Sequence, residues 1–169
     1  EFIQNFTDVD DKIIDRAQQE KISPLELAAK YTKNYFDDFD GLNIKRATIY
    51  PKATEHIEDM QNLISNLVDK KYAYVTKNGV YFSVSKFTEY GKLSKKKTDD
   101  LVSGARVAVD EEKNNPIDFA LWKFSESEPS WDSPWGKGRP GWHIECSAMS
   151  LKYLGENFEI HGGGRDLIF

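Results

Sequence analysis

The opening of the chain sets the strongest constraint on its fold. Residues 2–6 form a short apolar run with strand character, and a polar turn and a helical segment follow directly. A strand that leads through a turn into a helix is one βα unit, the repeating element of a parallel sheet covered by helices. The sequence therefore predicts an α/β fold with a parallel sheet.

The polar turn after this strand is rich in carboxylates. Thr7 is predicted to cap the first helix, with Asp10 three residues later in a near-capping-box arrangement. Asp8, Asp10 and Asp11 lie where the helix dipole favours negative charge. Two interpretations stay open: the carboxylates cap the helix, or they bind magnesium or a substrate ammonium group.

Two further helices are predicted before residue 72. Ser23 as N-cap, Pro24 at the first position and Glu26 at the third begin one helix, which Gly41 ends. Its predicted buried face contains Leu27, Tyr31, Tyr35 and Phe39. Thr54 is predicted to cap the other helix, which runs to about residue 71 and places His56 at the surface. Its apolar stripe comprises Ile57, Met60, Leu63, Ile64, Leu67 and Val68.

A β-hairpin is predicted over residues 72–84. Asn78 and Gly79 between its two arms tolerate the positive φ angles of a type I′ turn. Residues 119–124 are predicted to form another strand, with a short helical turn as the alternative. The segment 86–97 contains five lysines, and it is interpreted either as a solvated loop or as a phosphate contact. Residues 101–109 give no clear pattern.

A long loop over residues 125–140 precedes the last helix. Its Trp131 and Trp135 are expected to pack onto the body of the protein. Four residues form a basic, glycine-rich tip suited to phosphate, namely Gly136, Lys137, Gly138 and Arg139. Loops of this length inside a domain tend to be functional.

The final segment contains a possible metal-binding cysteine and, after it, a glycine run that a ligand could approach closely. A helix is predicted over Trp142–Leu154, ended by Gly155. Cys146 lies in its N-terminal half, where the helix dipole would stabilise a thiolate and permit metal binding. The alternative is an inert, packed thiol. Residues 158–160 are a strand candidate that runs into three glycines, and such a sequence lets a ligand approach the backbone closely.

Composition excludes several classes of protein. The chain has 169 residues, a net charge of −5 and a single cysteine. One cysteine cannot form an internal disulfide bond, which favours a reducing, cytoplasmic location. No apolar run approaches the roughly 20 residues that span a bilayer. The acidic balance argues against a general nucleic-acid binder.

Six segments in order along the chain resemble cysteinyl-tRNA synthetases. They are residues 5–14, 39–44, 104–107, 118–123, 129–149 and 160–167, and the tryptophan-rich stretch through Cys146 is the most specific. The resemblance implies an internal piece of a class I catalytic domain, with its HIGH and KMSKS signatures outside the chain. It implies part of a Rossmann-type parallel sheet, interrupted by a connective insertion that contains helices and the hairpin. Residues 1–23 would end the first half of the fold, 24–124 form mainly the insertion, and 125–169 return to the second half.

The resemblance also implies an activity and a site. Such enzymes activate cysteine with ATP and magnesium and transfer it to tRNA(Cys); the full-length enzyme is expected to be a monomer. Cys146 corresponds to a ligand of the zinc ion that binds the substrate thiolate, with the other ligands outside the chain, so weak or no zinc binding is expected here. Thr7, Asp10 and Trp142 correspond to cysteine-binding residues. The ATP or adenylate site corresponds to His161, Gly162, Gly163, Gly164 and Asp166. The alternative is a non-catalytic RNA- or nucleotide-binding module.

Overall fold

A computed structural model describes residues 1–95, 112–164 and 167. The described residues contain four α-helices: α1 Asp11–Glu20, α2 Pro24–Gly41, α3 Ile57–Asp69 and α4 Trp142–Leu154. They also contain four strands: β1 Ala73–Val75, β2 Gly79–Phe82, β3 Phe119–Phe124 and β4 Gly138–Pro140. Residues 101–109 and Asp166 were considered in the predictions from sequence, and they lie outside the described residues.

The strands form one antiparallel sheet in the order β1-β2-β3-β4. The predicted hairpin is confirmed as β1 and β2, but the predicted type I′ turn is wrong. The Thr76 N–H donates to the Gly79 carbonyl at 2.8 Å, so the turn is centred one residue earlier, on Lys77 and Asn78. Asn78 does not have the positive φ angle that a type I′ turn needs.

The beginning of the chain forms the predicted parallel pairing. Ile3 pairs with Ile49 and Phe6 with Lys52, both in parallel orientation, as isolated bridges rather than a continuous strand. The Phe6 N–H donates to the Pro51 carbonyl at 2.9 Å. Helices α1 and α2 connect the two extended segments, so the βα arrangement expected of a parallel sheet is present.

Helix α1 begins later than predicted. Its N-cap is Asp10, whose side chain accepts a hydrogen bond from the Lys12 N–H at 2.9 Å. The prediction of Thr7 as the cap is therefore wrong. A carboxylate close to the first turn competed successfully for the free backbone N–H groups.

Helix α2 begins as predicted, with a complete capping box. The Glu26 N–H donates to Ser23 Oγ at 3.2 Å, and the Ser23 N–H donates to Glu26 Oε2 at 2.8 Å. The predicted buried face is confirmed at Leu27 and wrong at Tyr31, which is exposed. Nothing covers this part of the helix in the described structure.

Removing the α2 cap is expected to destabilise the chain. Ser23→Ala should lower the free energy of unfolding by about 1 kcal/mol, because one helix N–H loses its acceptor. Equilibrium urea unfolding measures the change. Ser65→Ala is the control: this serine lies within α3 and donates to the Gln61 carbonyl, so its loss should cost less. Equal losses at both sites would contradict the capping role.

Helix α3 is preceded by a short 3-10 helix, Ala53–Glu55, and its N-cap is His56. Two predictions were wrong here, because Thr54 does not cap the helix and His56 is only 4% exposed. The His56 ring lies between two oxygens: Nδ1 is 2.7 Å from the Lys52 carbonyl oxygen and Nε2 is 3.0 Å from the Tyr153 hydroxyl. His56 thus links the start of α3 to α4.

The hydrophobic core lies between the sheet and helices α3 and α4. The predicted stripe of α3 is confirmed, with Met60 and Ile64 fully buried. Trp122 of β3 is the largest fully buried side chain, and Ile144, Ala148 and Met149 of α4 complete this core. The sheet and α3 therefore hold α4, the helix that carries Trp142 and Cys146.

Candidate functional site

Helix α4 and its terminal Gly155 form as predicted, and a close backbone contact places the helix on the sheet. Its N-cap, Gly141, donates its N–H to the Leu121 carbonyl of β3 at 2.8 Å. A Cβ atom on Gly141 would lie 2.0 Å from the Ala120 carbonyl oxygen, closer than any non-bonded contact allows. Only glycine therefore permits this approach, which sets where the first turn of α4 lies.

The first two turns of α4 present three candidate side chains. Trp142, Glu145 and Cys146 are separated by three and four positions, so they lie on adjacent parts of one helix face. Trp142 is 47% exposed, and its ring centroid is 5.2 Å from that of His143. His143 is partly buried, and burial lowers its pKa. The arrangement offers an accessible aromatic ring above a half-buried thiol.

Residues 5–7 lie against this helix face through two contacts. Cys146 Sγ is 3.7 Å from Asn5 Oδ1. The Thr7 side chain lies close enough to the Glu145 carboxyl group to lower its pKa. Thr7, Trp142 and Cys146, which the sequence placed at opposite ends of the chain, therefore belong to one region.

Burial is the main influence on the pKa of the Cys146 thiol. Burial raises its pKa, and the neighbouring charge of Glu145 raises it further, whereas the Asn5 hydrogen bond lowers it only in part. The prediction that the helix dipole would stabilise a thiolate is therefore wrong for the protein alone. A cation beside this thiol, such as a metal ion, would favour its ionisation.

Glu145 is a site residue that sequence reasoning did not assign. It is 1% exposed, and burial is the main reason that its pKa rises to about 8. The neighbouring Thr7 side chain lowers this pKa, whereas the charges of Asp10 and Asp8 raise it. A glutamate among the apolar residues Ile144, Ala148 and Met149 is the sequence signal that could have identified it.

The three aspartates before and within α1 have separate structural partners. Asp8 is buried and accepts hydrogen bonds from the Thr54 N–H at 2.9 Å and the Thr54 hydroxyl at 2.6 Å. Asp10 caps α1, and Asp11 forms ion pairs with Lys123 and Arg139. Helix capping therefore accounts for the role of Asp10 but not for the roles of Asp8 and Asp11. Within the described part of the chain, no group of three metal-ligating side chains comes together.

Asp11 joins α1 to strands β3 and β4. Partial burial raises its pKa, but the hydrogen bonds and charges of Lys123 and Arg139 lower it more, so the net pKa is below the usual value. A carboxylate with a depressed pKa stabilises the folded state above its unfolded pKa of about 3.9. This stabilisation disappears as the pH falls through the folded-state pKa.

We expect Asp11→Asn to lower the free energy of unfolding at pH 7 by at most about 1 kcal/mol, because the pair is half-exposed and screened. The difference from the unsubstituted chain should shrink towards zero below about pH 4. Urea unfolding at several pH values measures it. Asp15→Asn, an exposed change on the same helix, is the control. A difference that grows on acidification would refute the ion-pair explanation.

The predicted basic tip of the long loop is already paired. Lys137 bonds to Glu128 at 3.1 Å, Arg139 bonds to Asp11, and Gly138 belongs to β4. The prediction of a free phosphate-binding tip is therefore wrong, because local carboxylates neutralise both cations. The predicted packing of Trp131 and Trp135 onto the core is confirmed.

The glycine segment is exposed where it is described. His161, Gly162, Gly163 and Gly164 are solvent-accessible, and residues 158–160 do not form the predicted strand. A Cβ atom on Gly162 would meet no atom within 4 Å. The described residues thus leave open space around this backbone, as close approach by a ligand would require.

A cavity of about 510 Å³ lies elsewhere, against α2 and the segment 52–54. Its lining includes Phe36, Thr54 and Asp8, one of the three aspartates considered as possible magnesium or ammonium ligands, but none of the site residues that the resemblance implied. Among the described helices, none combines the length and the apolar character needed to cross a membrane.

A family model described as "tRNA synthetases class I (C) catalytic domain" matches residues 1–169. The chain therefore belongs to this family of class I synthetase catalytic domains, and its fold is the α/β, Rossmann-type fold that the sequence predicted.

The eight curated relatives that were compared with the chain are all named cysteine–tRNA ligase. The chain is 65% identical to the cysteine–tRNA ligase of Thermodesulfovibrio yellowstonii over an alignment of 173 positions, which covers 99% of the chain and 36% of that protein. It is 61% identical to the cysteine–tRNA ligase of Carboxydothermus hydrogenoformans and 59% identical to that of Clostridioides difficile, with the same two coverages. The chain thus spans about 36% of the length of these relatives.

Proposed function

We propose that the chain is the part of a cysteine–tRNA ligase that supplies the cysteine pocket and a portion of the ATP site. In this proposal the complete protein activates cysteine with ATP and transfers it to tRNA(Cys). The observation that carries the proposal is the 65% identity to a cysteine–tRNA ligase across 99% of the chain. The matched region covers α4 as well as the core.

The geometry of α4 supports a cysteine pocket. Trp142 offers an exposed aromatic wall, Cys146 lies on the same helix, and Thr7 lies beside that helix. Cysteine must be separated from serine, and an apolar pocket discriminates poorly between such near-isosteres. A sulfur-seeking metal held in part by Cys146 would supply the discrimination.

Zinc requires three or four protein ligands, and the described residues do not bring three together. The chain by itself therefore does not fit a complete zinc site. We assign Cys146 as one ligand, with the others provided by the remainder of the protein. Asp10 caps α1 and, next to Thr7, supplies a carboxylate near the substrate ammonium group.

The remaining assignments concern ATP, used with magnesium. His161 and the glycines Gly162, Gly163 and Gly164 would lie along the adenylate, since their backbone is exposed and unobstructed. Asp166 would contribute a nearby carboxylate. The proposal also divides the chain into residues 1–23, 24–124 and 125–169, as the end of the first half of the fold, the insertion and the second half. It includes a monomeric full-length protein and a cytoplasmic location. No observation favours a non-catalytic RNA-binding module, and the paired state of Lys137 and Arg139 argues against one.

Cysteine-dependent exchange of pyrophosphate into ATP tests the function. The longest natural polypeptide that contains this chain should catalyse the exchange with cysteine and not with serine. The 169-residue chain alone should be inactive. Exchange that does not depend on cysteine, or tight RNA binding by the 169-residue chain without exchange in the longer polypeptide, would overturn the proposal.

Zinc binding gives a separate test of Cys146. The 169-residue chain should bind zinc weakly or not at all, because one ligand cannot hold the metal. In the longer polypeptide, Cys146→Ser should lower zinc affinity at least about 10-fold, since a hydroxyl is a poor zinc ligand. Equilibrium dialysis measures both. One tightly bound zinc ion per 169-residue chain would contradict the incomplete site.

A further inference from the structure

The lysine-rich segment after the hairpin takes no part in the cysteine and ATP sites proposed above. Its described residues 86–95 contain three lysines and one glutamate, a net charge of +2, whereas the whole chain carries −5. The three lysines, Lys86, Lys92 and Lys95, are all exposed. A positive surface on an otherwise acidic protein attracts a polyanion to that place and not to the rest of the surface.

The charges of these lysines are largely available to a ligand. Lys92 forms an ion pair with Glu89, but the two side chains are 77% and 57% exposed, so solvent screens the pair. The described residues place no ion-pair partner beside Lys86 or Lys95. The segment differs in this respect from the basic tip of the long loop, whose cations are paired.

The segment also exposes apolar side chains. Phe87 is 45% exposed and Leu93 is 86% exposed. A loop that only carries solvated charge gains nothing from an aromatic ring in water. Single-stranded nucleic acids, in contrast, bind to surfaces that combine cations with aromatic rings on which bases stack. Phe87 beside Lys86 therefore favours RNA as the polyanion.

The segment is folded and anchored to the sheet. The Tyr90 N–H donates to the Phe87 carbonyl at 3.0 Å, and the Lys92 N–H donates to the Glu89 carbonyl at 3.1 Å. Tyr90 is partly buried, and its ring centroid lies 6.4 Å from that of Phe119 in β3. A surface shaped before binding loses less conformational entropy when a ligand arrives.

Aromatic contacts connect this anchor with the candidate cysteine pocket. The Phe119 ring centroid lies 5.1 Å from that of His143, which in turn lies 5.2 Å from that of Trp142. Only two rings therefore separate Tyr90 from Trp142. In the proposed function cysteine is transferred to the terminal ribose of tRNA, so the single-stranded end of the RNA must reach Trp142. The basic segment is within reach of the nucleotides that adjoin this end.

We propose that residues 86–95 bind the single-stranded end of tRNA, with their three lysines neutralising phosphates and Phe87 stacking on a base. This inference rests on the proposed function, because it takes tRNA as the acceptor that must reach Trp142. It assigns the segment a role in RNA affinity and no role in the activation of cysteine.

Two activities of the longest natural polypeptide that contains the chain separate these roles. The triple variant Lys86→Gln, Lys92→Gln, Lys95→Gln should raise KM for tRNA(Cys) in cysteine transfer at least about 10-fold at about 0.1 M salt, with kcat within about twofold. Cysteine-dependent pyrophosphate exchange does not require tRNA. Its rate and its KM for cysteine should stay within about twofold, which also shows that the variant is folded.

The salt dependence of tRNA binding tests the phosphate contacts, with fluorescence anisotropy of labelled tRNA as the measurement. The slope of log affinity against log salt should decrease in magnitude by about 2 in the triple variant, since each neutralised phosphate of a single strand contributes about 0.7. Phe87→Ala should weaken binding at least about fivefold without changing the slope, because it removes stacking and no charge. Glu89→Gln, which removes the carboxylate of the segment, should tighten binding.

The matched control changes the net charge equally at another place. The triple variant Lys30→Gln, Lys33→Gln, Lys45→Gln removes three exposed lysines on and after α2. It should keep KM for tRNA(Cys) within about twofold, because the charges removed lie away from the segment. Equal impairment of the two triple variants would show that net charge decides the affinity, and it would overturn the proposed contact.

The remaining outcomes distinguish this inference from the proposed function. Absence of cysteine-dependent exchange in the unsubstituted polypeptide overturns the proposed function. With that exchange present, an unchanged KM for tRNA(Cys) or an unchanged salt slope in the Lys86, Lys92 and Lys95 variant overturns the RNA contact. Loss of exchange in that variant, or full tRNA affinity in Phe87→Ala, would overturn it equally.

Discussion

Trp122→Ala is expected to lower the free energy of unfolding by about 3–5 kcal/mol, because the largest buried side chain would leave a cavity. Trp122 is fully buried in β3, and its indole N–H donates to the Gly136 carbonyl at 3.2 Å. Its ring also packs edge-on against Trp135, with 6.5 Å between the ring centroids. The substitution therefore removes core volume and the support of the long loop together.

Equilibrium urea unfolding gives the size of this effect, and the midpoint should fall without a change in slope. Trp142→Ala is the matched control, since this tryptophan is 47% exposed and its loss should change stability by about 0.5 kcal/mol or less. Equal losses for the two tryptophans would show that β3 is not the centre of the core.

Gly141→Ala is the second large effect, and it acts on the site. The new methyl group would lie 2.0 Å from the Ala120 carbonyl oxygen and 2.7 Å from the Ala120 carbonyl carbon. Both atoms belong to the backbone of β3, so either the strand or α4 must move. A loss of about 3 kcal/mol is expected, at the upper end of overpacking effects.

The φ angle of Gly141 is −75°, which alanine adopts freely, so the effect tests the close contact and not backbone strain. Gly41→Ala is the control because a Cβ atom there would meet no atom within 4 Å, and its stability should not fall. Urea unfolding and the near-ultraviolet signal of Trp142 measure stability and placement of α4. Unaltered values for Gly141→Ala would show that the first turn of α4 tolerates displacement.

Much of the local structure was predictable because its causes lie within a few residues. The capping box of Ser23 and Glu26 spans three positions, and it formed as the sequence indicated. The same holds for the apolar spacing of α3. One failure occurred where two local candidates competed, namely Thr7 and Asp10 at the start of α1. There, the distance of each side chain from the first turn decided the outcome.

The candidate site was predictable only in part. The residues Thr7, Trp142 and Cys146 came from a resemblance, and the structure brings them to one region. Their assigned functions stay predictions. Glu145 was not assigned a role because periodicity marks a position as buried without revealing which hydrogen bonds its side chain makes there.

The sequence by itself determined where the four helices and the hairpin form, because helix caps, apolar periods and turns depend on neighbours a few positions apart. Only the tertiary structure decided which of these segments share a site. Asn5 and Cys146 are 141 positions apart, and Asp11 and Arg139 are 128 apart. Contacts over such separations arise from packing of the whole chain, and this packing buries Glu145, pairs the basic loop and places Thr7 beside α4.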